Sequence, residues 1–228
     1  MQLLEITSAD RSSFEASLLL REFSHRINNE FASALGVISI AKARSANDEA
    51  KAALAAVEDR LQNYARVHHA LQMPEQTSCI DAAEYLRQLC QAVSRSRLES
   101  KGIGLRLVER RFQMNSERCW RLGLIISELI TNAERHAFRN GGGLIRVELL
   151  PSLSFVECRV TDNGTSEANT QPGHGLKIVE ALAESLGGTI DQHFGPHGAT
   201  TVLIFPAEIE TTVVEAAAPE PRFSSAVP

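Results

Sequence analysis

The fold of this 228-residue chain can be inferred from ISELITNAERHAF, residues 126–138. Its apolar side chains recur at steps of three and four, which predicts a helix packed on a core. Glu128, Asn132 and His136 lie four residues apart, so they project from one face of that helix. Such a polar row is more often a solvated face. The alternative is a site where a carboxylate, a carboxamide and a cation meet a ligand.

Two stretches downstream supply further polar elements. In VTDNGTS, residues 160–166, Asp162 ends a β-rich run and precedes Asn-Gly, which alone indicates a common turn. In PGHGLKIVEALAESLGG, residues 172–188, glycines lead into a helix, where backbone N–H groups and the helix dipole favour phosphate. Each stretch alone is weak evidence for a ligand-binding site, whereas the three stretches in this order form a specific pattern.

The chain upstream predicts a helical hairpin. From about Ser12 to Arg44 there is no proline and one glycine, and the apolar residues recur at helical spacing: Leu20, Phe23, Ile27, Phe31, Ala34, Ile38 and Ala41. SAND, residues 45–48, supplies a turn and helix caps. A second helix then runs to before Pro74, with a heptad stripe formed by Leu54, Val57, Leu61, Tyr64, His68 and Leu71.

Two antiparallel helices cannot cover so broad an apolar stripe, so we expect a homodimer with a four-helix bundle. His25 is about 200° around the helix from both Phe23 and Ile27, which predicts that it points away from the stripe. His68 falls on the stripe of the second helix and is expected in the core, whereas His69 is expected to be exposed.

The remainder predicts a separate α+β domain. Helices are expected over 81–93, 115–138 and 174–187, and strands over 102–110, 143–150, 154–162, 188–194 and 199–206. Helices that cover one face of such strands form an α+β sandwich. The predicted division is a hairpin over 12–73, a sandwich over 77–207 and a disordered tail over 208–228.

The ordered elements E-x-x-x-N, D-x-G and G-x-G-L resemble the GHKL group of ATP-binding domains found in sensor histidine kinases. LLREFSHRINNEFASAL, residues 19–35, resembles the H-R-V-K-N-N-L phosphoacceptor box of one subfamily, a relative of the HWE kinases. HWE kinases proper have a histidine before the helix glutamate and a W-x-E triplet. Here Ser127 precedes Glu128 and no such triplet occurs, so the chain resembles the sister subfamily with the H-R-x-x-N box.

The resemblance implies that His25 is phosphorylated by ATP. Arg26 stands where many histidine kinases have an acidic residue, which makes Glu128 a candidate proton acceptor. Asn29, four residues after the histidine, is a candidate to orient a water for dephosphorylation. Asn132 matches the asparagine that ligates Mg²⁺, which prefers oxygen ligands.

The resemblance also assigns the remaining nucleotide contacts. Asp162 would accept a hydrogen bond from the adenine amino group, and Gly164 would let the base approach the backbone. Basic residues on the helix would neutralise phosphate charge, and the second glycine box would lie beside the phosphates. These residues are Arg135 and His136 on the helix, and Gly173, Gly175, Leu176 and Lys177 in the box.

Two departures from the family pattern bear on ATP binding. The familiar first box is D-x-G-x-G, but Ser166 stands at its second glycine. The lid from Thr165 to Pro172 is very short. His174 lies inside the second box, where a nucleotide contact and an ordinary loop position are equally plausible interpretations.

Composition narrows the classes of partner. The net charge of -5 provides no general basic field for nucleic acid or anionic lipid. No apolar run has the length of a membrane span, and the first residues lack a signal-peptide pattern, so we expect a cytoplasmic protein. The four cysteines have no zinc-like spacing and are expected to be reduced and mostly buried. About ten residues precede the first helix, too few for a sensory domain, so a signal would come from another protein, such as a separate sensor, or from a domain outside this chain.

Three functions share all or part of this pattern. The leading hypothesis is an ATP- and Mg²⁺-dependent histidine kinase that autophosphorylates on His25 and donates to a receiver-domain aspartate of a response regulator. The alternative is a non-catalytic histidine phosphotransfer or docking protein with a degenerate ATP-binding domain. A serine kinase of the anti-sigma type shares the ATP-binding fold but lacks the phosphoacceptor hairpin.

Overall fold

The structure is a computed structural model that describes residues 8–74, 78–138, 142–165, 174–195 and 197–207. The predicted tail over 208–228 lies outside the described residues. So do Gly173, Ser166 and the rest of the predicted lid beyond Thr165.

The N-terminal part is the predicted helical hairpin. Helix α1 (Ser8–Arg44) and helix α2 (Asp48–Ala70) pack against each other. Asn47 caps α2, because its side-chain oxygen accepts hydrogen bonds from the backbone N–H groups of Glu49 at 2.8 Å and Ala50 at 3.2 Å. The SAND turn therefore ends one helix and begins the next.

The face of α1 that contacts α2 differs from the predicted stripe in its second half. Leu35 and Lys42 are half-buried there, whereas Ala34 and Ala41 are exposed. The larger leucine buries more apolar area than alanine, and Lys42 forms an ion pair with Glu58 of α2.

Several large apolar side chains of the hairpin remain exposed within one chain. Phe23 is 63% exposed and Val57 is 53% exposed, although both were predicted on the buried stripes. Tyr64 is also exposed and lies beneath the guanidinium of Arg60, 5.9 Å from the ring centre. The other exposed large apolar residues of the hairpin are Leu19, Val37 and Ile40.

The second part is an α+β sandwich, as predicted. Its five-stranded sheet has the order β2-β4-β5-β7-β6, in which β2 and β4 are parallel and the other pairs are antiparallel. Alternate strand residues face helices α3, α4 and α5 and form one buried core. The elements are β2 (Ile103–Glu109), β4 (Gly143–Pro151), β5 (Phe155–Asp162), β6 (Thr189–Gly195), β7 (Gly198–Pro206), α3 (Ala82–Val93), α4 (Ser116–His136) and α5 (His174–Ser185).

Two small elements were not predicted. Strands β1 (Cys79–Asp81) and β3 (Gln113–Asn115) form a short antiparallel ladder, too brief to produce a periodic pattern. After α3, the chain continues as a π-helical turn (Ser94–Leu98) and a 3-10 turn (Glu99–Lys101), together called the 94–101 segment. This segment ends at Gly102, whose φ of 68° is accessible at little cost only to glycine.

The hairpin and the sandwich share packing at their junction. Val67, Ala70 and Leu71 contact the buried core of the sandwich. The indole Nε1–H of Trp120 on α4 donates a hydrogen bond to the carbonyl of Leu71 at 2.8 Å. The end of α2 is therefore attached directly to the helix that contains Glu128 and Asn132.

The cysteine prediction is confirmed: all four are free, and Cys90, Cys119 and Cys158 are buried, whereas Cys79 is exposed. Burial raises the pKa of each of the three buried thiols to about 12, so these thiols are not nucleophiles near neutral pH. Among the described helices, none combines the length and the apolar character required to cross a membrane.

Candidate functional site

Helix α4 supplies the first part of the site. Its N-cap is Asn115, whose side-chain oxygen accepts hydrogen bonds from two backbone N–H groups at 3.0 and 3.3 Å. Its apolar face is buried against the core, and the polar row lies beside that face. Glu128 and Asn132 are half-buried, whereas Arg135 and His136 at the end of the helix are exposed.

The start of α5 meets Glu128. A Cβ placed on Gly175 would lie 2.0 Å from Glu128 Oε1 and 2.9 Å from its Cδ. Only glycine therefore allows the carboxylate to lie against this backbone. Beyond it, Leu176 is half-buried and Lys177 is exposed, and the side chain of His174 is outside the described part of the structure.

Asp162 ends β5 and is 7% exposed. Its Oδ1 accepts hydrogen bonds from the N–H groups of Gly164 at 3.0 Å and Ala199 at 3.3 Å. Burial raises the pKa of this carboxyl, and the two backbone hydrogen bonds oppose the rise. Within the described part of the chain, no group donates a hydrogen bond to Oδ2, which is left for an external donor.

The turn after Asp162 is held between α4 and β4. A Cβ on Gly164 would lie 2.3 Å from the carbonyl oxygen of Ala137, and the N–H of Thr165 donates to that same oxygen at 3.1 Å. On the other side, Asn163 Oδ1 accepts a hydrogen bond from the N–H of Leu144 at 2.7 Å. The structure therefore brings the end of α4 against the turn that contains Asp162 and Gly164.

The predicted phosphoacceptor box lies on α1, in the hairpin. His25 and Asn29 are exposed, in agreement with their predicted position away from the contact with α2. Arg26 forms an exposed ion pair with Glu22, with 2.9 Å between Nε and Oε1. His25 therefore presents its imidazole to solvent rather than to the interior of the hairpin.

The prediction for the other two hairpin histidines is confirmed. His68 is half-buried, with its Nδ1 at 3.0 Å from Asn28 Oδ1 and its ring edge-on to Phe31 at 5.8 Å. Burial lowers the pKa of His68, which favours the neutral imidazole. His69 is exposed.

Glu134 is a residue of α4 that sequence reasoning missed. It is 8% exposed and forms ion pairs with Arg97 at 2.8 Å and Lys101 at 2.7 Å. The available signal was its position: with Ser127 and Thr131 it forms a polar i, i+4, i+7 row within a largely apolar helix. That row adjoins the row of Glu128 and Asn132.

Both parts of the chain match known protein families. A family described as histidine kinase matches residues 22–97, and a family described as histidine kinase-like ATPase domain matches residues 86–205.

The chain is also similar to full-length curated proteins. Sensor histidine kinase PdtaS of Mycolicibacterium smegmatis is 24% identical over 208 residues, which cover 88% of this chain and 42% of the relative. The protein of the same name in Mycobacterium tuberculosis is 23% identical over 208 residues, with coverage of 88% and 41%. The chain thus spans about two fifths of the length of these relatives.

Two solved structures have a similar fold. The histidine kinase domain from the Erythrobacter litoralis EL346 blue-light activated histidine kinase has a TM-score of 0.56 and 20% identity, covering 78% of this chain and 95% of that chain. The EL346 kinase in a second structure has a TM-score of 0.52 and 22% identity, covering 65% and 54%. At these identities the likeness shows the fold.

Proposed function

Since this chain belongs to the histidine kinase family, with a histidine kinase-like ATPase domain over residues 86–205, we propose that it uses ATP to phosphorylate its own His25. The phosphoryl group then passes to an aspartate in the receiver domain of a response regulator. In this proposal residues 12–73 form the dimerisation and phosphotransfer hairpin, and residues 77–207 form the catalytic domain.

The observation that supports ATP as the substrate is the environment of Asp162. Its buried carboxylate receives two backbone hydrogen bonds on Oδ1, while Oδ2 has no donor among the described residues. The 6-amino group of adenine is a donor that suits Oδ2. Gly164 keeps this turn against α4, because a Cβ there would lie 2.3 Å from the carbonyl oxygen of Ala137.

The phosphate end of the nucleotide would extend from this turn toward α4 and α5. Arg135, His136 and Lys177 are exposed cations or potential cations on those helices. The first turn of α5, around Gly175 and Leu176, provides backbone N–H groups at the positive end of the helix dipole. These groups can bind and orient phosphate charge. In this proposal Gly173, outside the described residues, also belongs to the phosphate-binding box.

The residues present fit a magnesium ion held mostly by the nucleotide. Among the described residues, no three or more His, Cys, Asp or Glu side chains form a metal cluster. Mg²⁺ is commonly bound by one or two protein oxygens together with substrate phosphates, and the half-buried carboxamide of Asn132 can supply such an oxygen. When bound, the ion would neutralise phosphate charge during transfer.

The acceptor chemistry requires an accessible imidazole and a proton acceptor. The unprotonated ring nitrogen of a neutral His25 forms a bond to the γ-phosphorus, the bond from that phosphorus to the ADP oxygen breaks, and the other ring nitrogen loses its proton. Arg26 cannot accept this proton, since it is a cation paired with Glu22. The carboxylate of Glu128 is the proposed acceptor. Asn29, exposed one turn after His25, is proposed to orient a water for dephosphorylation of the regulator.

The exposed apolar side chains of the hairpin support a homodimer. Phe23, Val37, Ile40 and Val57 are each more than half exposed in one chain. A second hairpin that covers them would complete a four-helix bundle. A dimer is tested by light scattering, for which the expected mass is twice the 24.9 kDa of the chain.

The sequence departure at Ser166 favours one alternative, a histidine phosphotransfer protein whose ATP site is degenerate. Calorimetric titration with ATP and Mg²⁺ distinguishes a histidine kinase from such a phosphotransfer protein. The kinase proposal predicts saturable ATP binding and, on incubation, protein-bound phosphate that is lost in acid. A chain that binds no ATP but accepts phosphate from a phosphorylated regulator would support the alternative and contradict the proposal.

A further inference from the structure

The buried carboxylate of Glu134 has no part in the chemistry described above. Its side chain is 5% exposed and lies between two cations of the 94–101 segment. Lys101 Nζ donates a hydrogen bond to Oε1 at 2.7 Å, and Arg97 Nη2 forms an ion pair with Oε2 at 2.8 Å. Both partners are more exposed than the glutamate, with 54% and 27% of their side chains accessible.

Arg97 also contacts α4 one turn earlier. Its Nη1 donates to the hydroxyl of Thr131 at 3.0 Å, and that hydroxyl donates to the carbonyl of Ser127 at 2.8 Å. One guanidinium therefore holds two successive turns of α4. We call Arg97, Lys101, Thr131 and Glu134 the α4 clamp.

The α4 clamp lies beside the polar row of the site. Thr131 is the residue before Asn132, and Ser127, whose carbonyl accepts from Thr131, is the residue before Glu128. Successive helical residues are about 100° apart, so a change in the rotation of α4 moves the two rows together. Whatever fixes the clamp row also fixes the direction of Asn132.

Apolar packing alone defines such a rotation weakly. The apolar buried face of α4 is built mainly from leucine and isoleucine, with Cys119, Gly123 and Ala133, and the hydrophobic contacts of such side chains are non-directional. A buried carboxylate must instead remain with its cations, because a buried charge left without a partner is strongly destabilising. The clamp therefore limits α4 to the orientations that keep Glu134 between Arg97 and Lys101.

The clamp also connects α4 with the hairpin. The π-helical turn that contains Arg97 packs against α2 as well as α3. At this same C-terminal end of α4, three residues after Glu134, the carbonyl of Ala137 accepts the N–H of Thr165 at 3.1 Å and so holds the nucleotide turn. A continuous set of contacts thus runs from α2 through Arg97 and Glu134 to the turn that follows Asp162.

We propose that Glu134, held by Arg97 and Lys101, is a positioning residue that sets the rotation of α4 and so directs Asn132 toward the metal-bound phosphates. This rests on the proposed function, since it concerns how the same site receives Mg²⁺ with ATP. Glu134 acts through Asn132 and touches no reacting atom.

The first test compares ATP affinities with and without Mg²⁺. In Glu134→Gln we expect the magnesium enhancement of ATP affinity to fall by about tenfold, since displacements of about 1 Å at such sites have effects of that order or larger. Affinity for ATP without Mg²⁺ should change much less, because the adenine turn remains. The matched control is Glu157→Gln, which removes a carboxylate paired with Arg159 at 2.6 Å on a different element, β5. An enhancement equal to that of the parent would overturn the proposal.

A double variant separates positioning from stability. Replacing a buried ion pair by apolar side chains is often neutral for stability, so Arg97→Met with Glu134→Leu should fold as well as the parent. The proposal predicts that its magnesium enhancement is still reduced. Recovery of both stability and enhancement would show that the clamp is merely structural and would overturn the proposal.

Amide hydrogen exchange tests the proposal in the absence of nucleotide. In Glu134→Gln and in the double variant, amide exchange at Thr165 and in the last turn of α4 should be about tenfold faster than in the parent and in Glu157→Gln. Unchanged exchange at these amides would overturn the proposal. A parent chain that binds no ATP would refute the proposed function, and the exchange result would still decide whether the clamp positions α4.

Discussion

Replacing Asp162 by asparagine should separate nucleotide binding from stability. Both backbone hydrogen bonds to this side chain end on Oδ1, at 3.0 and 3.3 Å, and an asparagine oxygen can accept both. The amide nitrogen would then stand in place of Oδ2. It is a donor, so it would face the adenine amino group with like polarity.

The expected magnitudes follow from these contacts. A hydrogen bond to a charged acceptor contributes about 1.5–3 kcal/mol, and a buried donor left without a partner costs about 1–3 kcal/mol. We therefore expect ATP affinity to fall by about 100- to 10,000-fold. The free energy of unfolding should be unchanged or should rise by up to about 1 kcal/mol, because an ionised group leaves a buried position.

The raised pKa of Asp162 determines how the effect of Asp162→Asn on stability varies with pH. Burial raises the pKa of Asp162 in the folded chain above its unfolded value, so ionisation is less favourable when folded. The contribution of Asp162 to stability is fully present below the unfolded pKa and is lost as pH rises through the folded pKa. The stability advantage of Asp162→Asn should therefore be absent at low pH, grow from about pH 4 upward and then level off.

Urea unfolding across this pH range and calorimetric ATP titration measure the two quantities. The matched control is Asp191→Asn, an exposed aspartate of β6 whose Oδ2 lies 3.0 Å from His193 Nε2, which should change stability by less than about 0.5 kcal/mol and leave ATP affinity unaltered. The reasoning fails if Asp162→Asn binds ATP as the parent does. It also fails if the variant is destabilised by several kcal/mol.

Three further changes test other parts of the account. Gly164→Ala would place a Cβ 2.3 Å from the Ala137 carbonyl oxygen, so urea unfolding should show a loss of about 1–3 kcal/mol and titration a weaker ATP affinity. Its control, Gly36→Ala in α1, meets nothing within 4 Å and should gain about 0.5–1 kcal/mol; equal effects would contradict the close approach at Gly164. Asn47→Ala removes the cap of α2 and should lower the free energy of unfolding by about 1 kcal/mol, whereas no loss would mean that the cap bonds are not stabilising. Asn29→Ala should slow dephosphorylation of a phosphorylated regulator, and an unchanged rate would remove the basis for its proposed role.

Periodicity was sufficient for the long elements of this fold. Helices such as α4 contain enough turns for a repeating apolar pattern, and a cap such as Asn47 has a local chemical cause. The three-residue strands β1 and β3 contain no repeat at all. The 94–101 segment has neither proline nor glycine before Gly102, so its departure from α-helical geometry has no local signal.

The remaining differences arise from contacts between distant residues. On α1 the contact face shifts to Leu35, because α2 determines which side chains are covered, and a single helix does not contain that information. The partners of Glu134 have no signal near it in the sequence, because Arg97 and Lys101 lie in the distant 94–101 segment. The close approach of Gly175 to Glu128 likewise depends on how α5 packs against α4.

The central claim is that ATP phosphorylates His25, and locating the phosphate tests it most directly. The chain is incubated with ATP and Mg²⁺, digested at alkaline pH and sequenced by mass spectrometry under conditions that preserve phosphohistidine. The account predicts acid-labile phosphate on His25, absent in His25→Ala and retained in His69→Ala, the control at another exposed histidine of the hairpin. Acid-stable phosphate on Ser24, or acid-labile phosphate that persists in His25→Ala, would contradict it.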